Sequence, residues 1–303
     1  AETGMDSAYL DSFNHAGTYL NFNPIYSGDA CGGGNGYIKD AQRMADALKQ
    51  RLRQIKPGFC FTAESFWEGN MAQLDAYLTV NTTNQPLNGD HLVAIPLAQA
   101  VYHDHTIFYA GWINRADQER DDAQAWFAKW GQMFTWGVKN GWDQPHFFTR
   151  FENHEITRPA FVERMHAYKT AKKWLLYGTL LRQPAVVNAL PQVENIKWFR
   201  GWSDSYYNVT MPAVLLEAWR APDGELAVVL YNISPNDQSI QFALTAADHG
   251  VQPAGVNDVE TLWPTKGSAE VQIETRGDQL LVATRVASRS PMVVRFSAKK
   301  QEK

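Results

Sequence analysis

Cysteine is scarce: Cys31 and Cys60 are the two present in 303 residues. Two thiols cannot form the bridge framework of a small secreted domain, so stability must come from a packed core. A bridge between them stays open as a reading. However, Cys60 lies in the apolar run 59–64 (FCFTAE), which reads as a buried strand where a thiol packs as a small hydrophobe. Positive charge is not in surplus either, with 28 Lys and Arg against 32 Asp and Glu and a net charge of −4. Without a basic stripe, nucleic acid is excluded as an expected partner. No apolar run approaches the roughly 20 residues a membrane helix requires, so no helical membrane span is expected. Residues 32–34 are glycines but lack the Lys-Ser/Thr and the spacing of a phosphate loop, which leaves them as a flexible rim. Internal repeats and low-complexity tracts are also lacking.

The first residue is not Met, and no signal-peptide pattern follows it. The chain runs almost directly into a strand-like segment, so the expectation is a piece cut from a larger protein. The start is then silent on export, and a secreted or periplasmic location is favoured over a cytoplasmic one.

Aromatic residues are plentiful: 11 Trp, 12 Tyr and 15 Phe make up 13% of the chain. Flat rings cover the apolar faces of pyranoses in sugar clefts, although most such rings belong to the core. Apolar strand-like runs at 7–13, 59–64, 74–79, 92–102 and 133–138 alternate with helical spacing at 37–55, 120–132 and 159–181. On the first helix Ile38, Ala41, Met44, Ala45, Leu48, Leu52 and Ile55 share one face, and Pro57-Gly58 stops it. This alternation indicates parallel β-α units. Five such strands without a starting set fit the later part of a (β/α)8 barrel. After about residue 190 the texture changes to short strands at 214–220, 226–233, 240–244, 271–275, 280–284 and 293–296, several alternating apolar and polar. The expected architecture is therefore α/β: residues 1–190 form about strands 4–8 of a (β/α)8 TIM barrel, N-terminally truncated. Residues 191–303 form an antiparallel β-sandwich.

In such a barrel the working groups sit at the C-terminal ends of the strands. Asp11 ends Tyr9-Leu10-Asp11 and Glu64 ends Phe61-Thr62-Ala63-Glu64. Neighbouring strands lie about 4.8 Å apart, which allows the carboxyl separation of about 5–5.5 Å used by a retaining glycosidase. Asp11 is read as nucleophile and Glu64 as acid/base. The competing use of each carboxylate is to cap a helix or pair with an Arg.

Tyr-Leu-Asp, a Gly-rich loop and helix, Thr-Ala-Glu, Leu-Asp-Ala-Tyr-Leu-Thr and Pro-Leu-Ala-Gln-Ala-Val-Tyr-His-Asp follow one another here. Over roughly residues 4–190 this order resembles a bacterial group of glycoside-hydrolase-like barrel proteins similar to the α-amylase and endo-α-N-acetylgalactosaminidase families. The resemblance implies that an Asp ending strand four, here Asp11, is the nucleophile. It implies that a Glu ending strand five, here Glu64, is the acid/base, and that the bond cleaved is α-linked. It places His103 and Asp104 at the end of strand seven as ligands of sugar hydroxyls, and residues 133–138 on strand eight.

His103 and His105 alternatively read as a metal pair on one strand face, but the barrels that use His-x-His carry it on their first strand with further ligands later. Phe151-Glu152-Asn153-His154-Glu155 resembles the amylase seventh-strand string Asn-His-Asp and reads here as a loop before a helix. Glu68 ranks second as the acid. Trp67, Trp136 and Trp142 are candidates for lining the sugar site, and Tyr9 and Glu68 complete the substrate-binding set. The expectation is hydrolysis of an O-glycosidic bond in an oligosaccharide, polysaccharide or glycoconjugate, with retention and without cofactor or metal. The missing N-terminal strands of the same protein are the expected structural partner. Rivals are a non-catalytic carbohydrate-binding barrel and a metal-dependent barrel hydrolase.

Overall fold

A computed structural model describes residues 4–11, 13, 35–84, 95–141, 149–200, 205–251, 256–264 and 270–298. Among them, Ser7–Leu10 (β1), Cys60–Glu64 (β2), Ala76–Leu78 (β3) and Ile107–Tyr109 (β4) form one parallel sheet in the order β1-β2-β3-β4. A parallel bridge from Tyr109 to Lys139 continues it by one position. Ala8, Leu10, Phe61, Ala63, Tyr77 and Phe108 point to the face covered by helices and join the main core. The period of two sends Tyr9, Thr62, Glu64, Leu78 and Tyr109 to the other face.

Helix α1 (Asn35–Ile55) covers the sheet with Ala41, Ala45 and Leu52. Only half of its apolar stripe is used: Met44, Leu48 and Ile55 are exposed by 49%, 38% and 52%. Of the run 92–102, which was expected as a strand, residues 92–94 lie outside the described residues and the rest is not a strand. Its residues Leu97–Tyr102 are a short helix, α2, and the strand comes later, at β4. Residues 133–138 are not a strand either. Met133, Phe134 and Thr135 complete helix α4 (Gln124–Thr135), nearly every residue of which is buried. The segment that meets the sheet is centred on Lys139. Helix α3 (Arg115–Glu119) is capped by Asn114, whose side chain accepts from Ala116 N while Asp117 accepts from Asn114 N. The predicted helix 159–181 is α5 (His154–Thr170) followed by a turn of helix, Lys172–Leu175. Cys60 is exposed rather than buried, because it opens β2 at the sheet margin; Cys31 lies outside the described residues.

The antiparallel part begins with two short strands, Thr179–Leu180 (β5) and Ala185–Val186 (β6). A two-stranded ribbon follows, Gln192–Phe199 (β7) and Tyr206–Pro212 (β8). Then come Val214–Arg220 (β9), Leu226–Asn232 (β10), Gln238–Thr245 (β11), Val256–Trp263 (β12), Val271–Arg276 (β13), Gln279–Val286 (β14) and Pro291–Ala298 (β15). One sheet runs β12-β15-β10-β9-β5 and the other β13-β14-β11-β6. Leu216, Ala218, Val228, Leu230, Met292 and Val294 face Ile240, Phe242, Leu244, Leu280 and Val282 across the sandwich. The outer face of the larger sheet is covered too: Leu215, Trp219, Val229, Tyr231 and Val293 pack into the same core as α4. That double cover explains why β10, LAVVLYN, is a continuous apolar run buried at every position.

Two polar arrangements tie these layers together. Lys129 of α4 is fully buried and donates to Asp117 Oδ2 (2.7 Å) and to the Phe199 carbonyl (2.8 Å). Burial pushes Asp117 up and Lys129 down, and the charge of each partner is the main opposing effect. At the junction with the sandwich, Gly137 sits at φ +70, and a Cβ there would fall 2.7 Å from both His103 Nε2 and the Trp219 ring.

The ribbon β7–β8 folds back over the α/β part. Trp198 Nε1 donates to the Thr83 carbonyl (2.9 Å), Lys197 pairs with Asp121 (3.0 Å), and Arg120 lies over the Phe199 ring. It thereby braces the segments that follow β3 and β4.

Candidate active site

The register of β1 and β2 ends at Leu10↔Ala63; Asp11 follows in the turn after β1, and Glu64 is the last residue of β2. Asp11 is exposed, whereas Glu64 is 9% exposed. Below them on the same face are Tyr9 and Thr62, themselves in register. The Tyr9 hydroxyl donates to Asp11 Oδ1 at 3.4 Å. Its phenol is pushed above the ordinary range, first by burial and then by the negative charges of Glu64 and Asp11. Tyr109 reaches from β4 across β3, its hydroxyl 2.9 Å from Thr62 Oγ1. Ala76 stands in register with Thr62 and leaves room for the ring to cross. Burial raises the Tyr109 phenol as well, and the Thr62 hydroxyl works against that rise. A patch of hydroxyls and carboxyls is thus gathered on one sheet face at the strand ends.

The backbone just beyond this patch is held in an unusual conformation. Ser65, which follows Glu64, has φ 62, and Ala110, which follows Tyr109, has φ 54. A side-chain-bearing residue in the left-handed region costs about 1–2 kcal/mol. Backbone bonds hold both: Ser65 N donates to Leu78 O (2.8 Å) and Ala110 N to Lys139 O (2.7 Å). Strain of this kind clusters at functional sites.

The other expected residues fall elsewhere. His103-Asp104-His105 do not close a strand; they form the turn between α2 and β4, at the end of the sheet opposite Glu64. His103 is buried with Nδ1 3.1 Å from the Gly178 carbonyl and its ring edge-on to Trp219, and burial lowers its pKa. Asp104 is exposed beside His105. Trp136 is not on a strand-end loop; it caps α4 and its indole N–H bonds to Glu217 at the sandwich junction. Glu68 accepts from the Tyr102 hydroxyl on α2. Trp67 stays close to the strand end, half-buried, with its ring against Gly69. Trp142 lies outside the described residues. Phe151-Glu152-Asn153 is a turn and His154-Glu155 opens α5, with Asn153 Nδ2 donating to the Gln118 carbonyl. Among the described residues no group of His, Cys, Asp and Glu is placed to hold a metal ion.

Thr62 and Tyr109 were not singled out from sequence. Thr62 was legible in principle, since it shares the Asp11/Glu64 face by the period of two. Tyr109 was hidden by the misplacement of its strand. A separate cavity of about 790 Å³ lies at the sandwich edge, lined by Glu163, Asp237, Glu270 and Arg285 among others, and includes nothing from the parallel sheet.

Paired carboxylates at the ends of neighbouring parallel strands are the arrangement of a polar barrel-type site. A family model described as a domain of unknown function, DUF6259, matches residues 1–114. No curated protein sequence matches the chain. Among solved structures, the chain is similar to an Anoxybacillus alpha-amylase with a TM-score of 0.50 and 11% identity, covering 99% of this chain and 60% of that one. It is also similar to an alpha-amylase from H. orenii with a TM-score of 0.50 and 9% identity, covering 98% and 62%. The chain therefore shares the α-amylase fold over nearly all its length, and it spans about three fifths of those proteins.

Proposed function

We propose that this protein is a retaining glycoside hydrolase, with Asp11 as nucleophile and Glu64 as acid/base, acting on an α-linked sugar. The observation that carries the reading is the parallel register of β1 and β2 up to Leu10↔Ala63, which supports an exposed Asp11 and a buried Glu64 as neighbours just beyond it. Strand spacing gives a separation of the order of 5 Å, the distance over which one carboxylate attacks the anomeric carbon while the other protonates the leaving oxygen. Similarity in fold to two alpha-amylases supports the sugar substrate.

In this reading β1–β4 and the Lys139 segment are strands four to eight of a (β/α)8 barrel. The edge of β1, which pairs with no further strand among the described residues, and the exposed Met44 and Leu48 of α1 support a place for additional strands and a helix. Asp11→Asn and Glu64→Gln are each expected to abolish turnover of an activated α-glycoside with the circular dichroism spectrum unchanged. Near-wild-type activity in either variant removes that residue from its role.

A further inference from the structure

We propose that Tyr9 is a positioning residue whose hydroxyl holds Asp11 as the departing carboxylate in the second half of the reaction. The inference rests on the retaining reading above and deepens it. Tyr9 lies in β1 two residues before Asp11, which occupies the turn that follows the strand. The hydroxyl donates to Asp11 Oδ1 at 3.4 Å. Thr62 stands opposite Tyr9 in register, and its hydroxyl is engaged by Tyr109 at 2.9 Å. The Thr62 hydroxyl is thus engaged by Tyr109, and the hydroxyl of the half-exposed Tyr9 bonds to Asp11. Tyr9 also lies within the field of Glu64, the other carboxyl of the pair.

In the first step Asp11 Oδ forms a bond to the anomeric carbon, the glycosidic C–O bond breaks, and the leaving oxygen takes the Glu64 proton. In the second step water attacks the same carbon and gives a proton to Glu64, while the ester bond breaks and its electron pair returns to Asp11. The Tyr9 proton stays on its oxygen throughout. Its hydrogen bond is stronger to a carboxylate than to an ester, so it favours breaking the ester over making it. Removing the hydroxyl should slow the second step selectively.

The test uses the full chain with a panel of 4-nitrophenyl α-glycosides, whose good leaving group makes the second step limiting. A hydrogen bond to a charged group is worth about 10- to 100-fold in rate. Tyr9→Phe is expected to lower kcat by about that factor while kcat/KM stays within about threefold. KM falls accordingly, and intact-mass spectrometry during turnover shows the chain plus one glycosyl unit. Tyr9→Ala, which also removes the ring, shows the same accumulation. Unchanged kcat in Tyr9→Phe overturns the proposal and leaves the retaining reading standing. Equal losses in kcat and kcat/KM without accumulation also overturn it, because a merely structural residue behaves that way. A wild-type chain that turns over none of the panel overturns the reading, and the proposal with it.

Discussion

The strands of the parallel sheet span three to five residues, whereas β9, β10, β11, β14 and β15 of the sandwich span seven or eight. Left-handed backbone is distributed unequally as well. Among residues other than glycine, Ser65, Ala110, Asp121, Asp122, Ala123 and Asn153 carry positive φ in the α/β part, against Arg289 in the turn that crosses from β14 to β15 in the other sheet and Asn195 in the ribbon. A long antiparallel ladder secures itself through its own pairing. Short parallel strands present their side chains at their ends, and the turns that do so depend on the layers packed around them. The comparison teaches that the candidate site borrows rigidity from its neighbours.

That dependence can be broken at the buried ion pair. Lys129→Ala leaves Asp117 charged and buried without its cation, which costs about 3–5 kcal/mol. Urea unfolding should show this loss, and the double variant Asp117→Asn/Lys129→Met should recover most of it. The junction offers a pH-dependent handle. Glu217 is buried, and burial lifts its pKa from the ordinary 4.5 to about 8, with the Trp136 N–H bond opposing the rise. The folded chain therefore keeps a proton that the unfolded chain releases. Its contribution is fully present below about 4.5 and is lost as pH rises through about 8. Glu217→Gln should flatten that slope and raise stability at pH 8 by the order of 3 kcal/mol, read from melting curves at pH 5 and pH 8. Gly137→Ala pushes a methyl against His103 and Trp219 from a left-handed position and should cost about 1–3 kcal/mol. The smallest effect is expected at Asp122, exposed at φ 53. Asp122→Gly should stabilise by about 0.5–1 kcal/mol, seen as a raised Tm; a lowered Tm would show that the turn is not strained.

The parts legible in the sequence are those where one local signal dominates. Residues 59–64 read as a strand because β-forming residues follow a Pro-Gly stop, and the strand holds. The sandwich strands β9, β10, β11, β13, β14 and β15 were bounded by turn signals and fall within two residues of their expected limits. Failures came where an apolar run stood for either element. Leu97–Tyr102 is a helix of six residues, too short to show a helical period and largely exposed, whereas Met133-Phe134 end a helix whose burial on nearly every side erases it. Ile107–Tyr109 is too short to signal at all. The ribbon escaped because its residues are mixed and its register is broken near Asn195, at φ 56. Of the candidate site, Asp11 and Glu64 were placed from strand ends alone, and Tyr109 required the fold.

The ribbon sets a schedule for synthesis. Trp198 reaches back 115 residues to Thr83, and Phe199 reaches back 70 to Lys129. At about 5–20 residues per second on the ribosome, the segments after β3 and β4 wait roughly 4–23 s for the strand that braces them. Until then the carboxylates stand on a nascent sheet whose rim is still unsecured. The rim of the sheet is finished by downstream sequence, long after its own residues have been made.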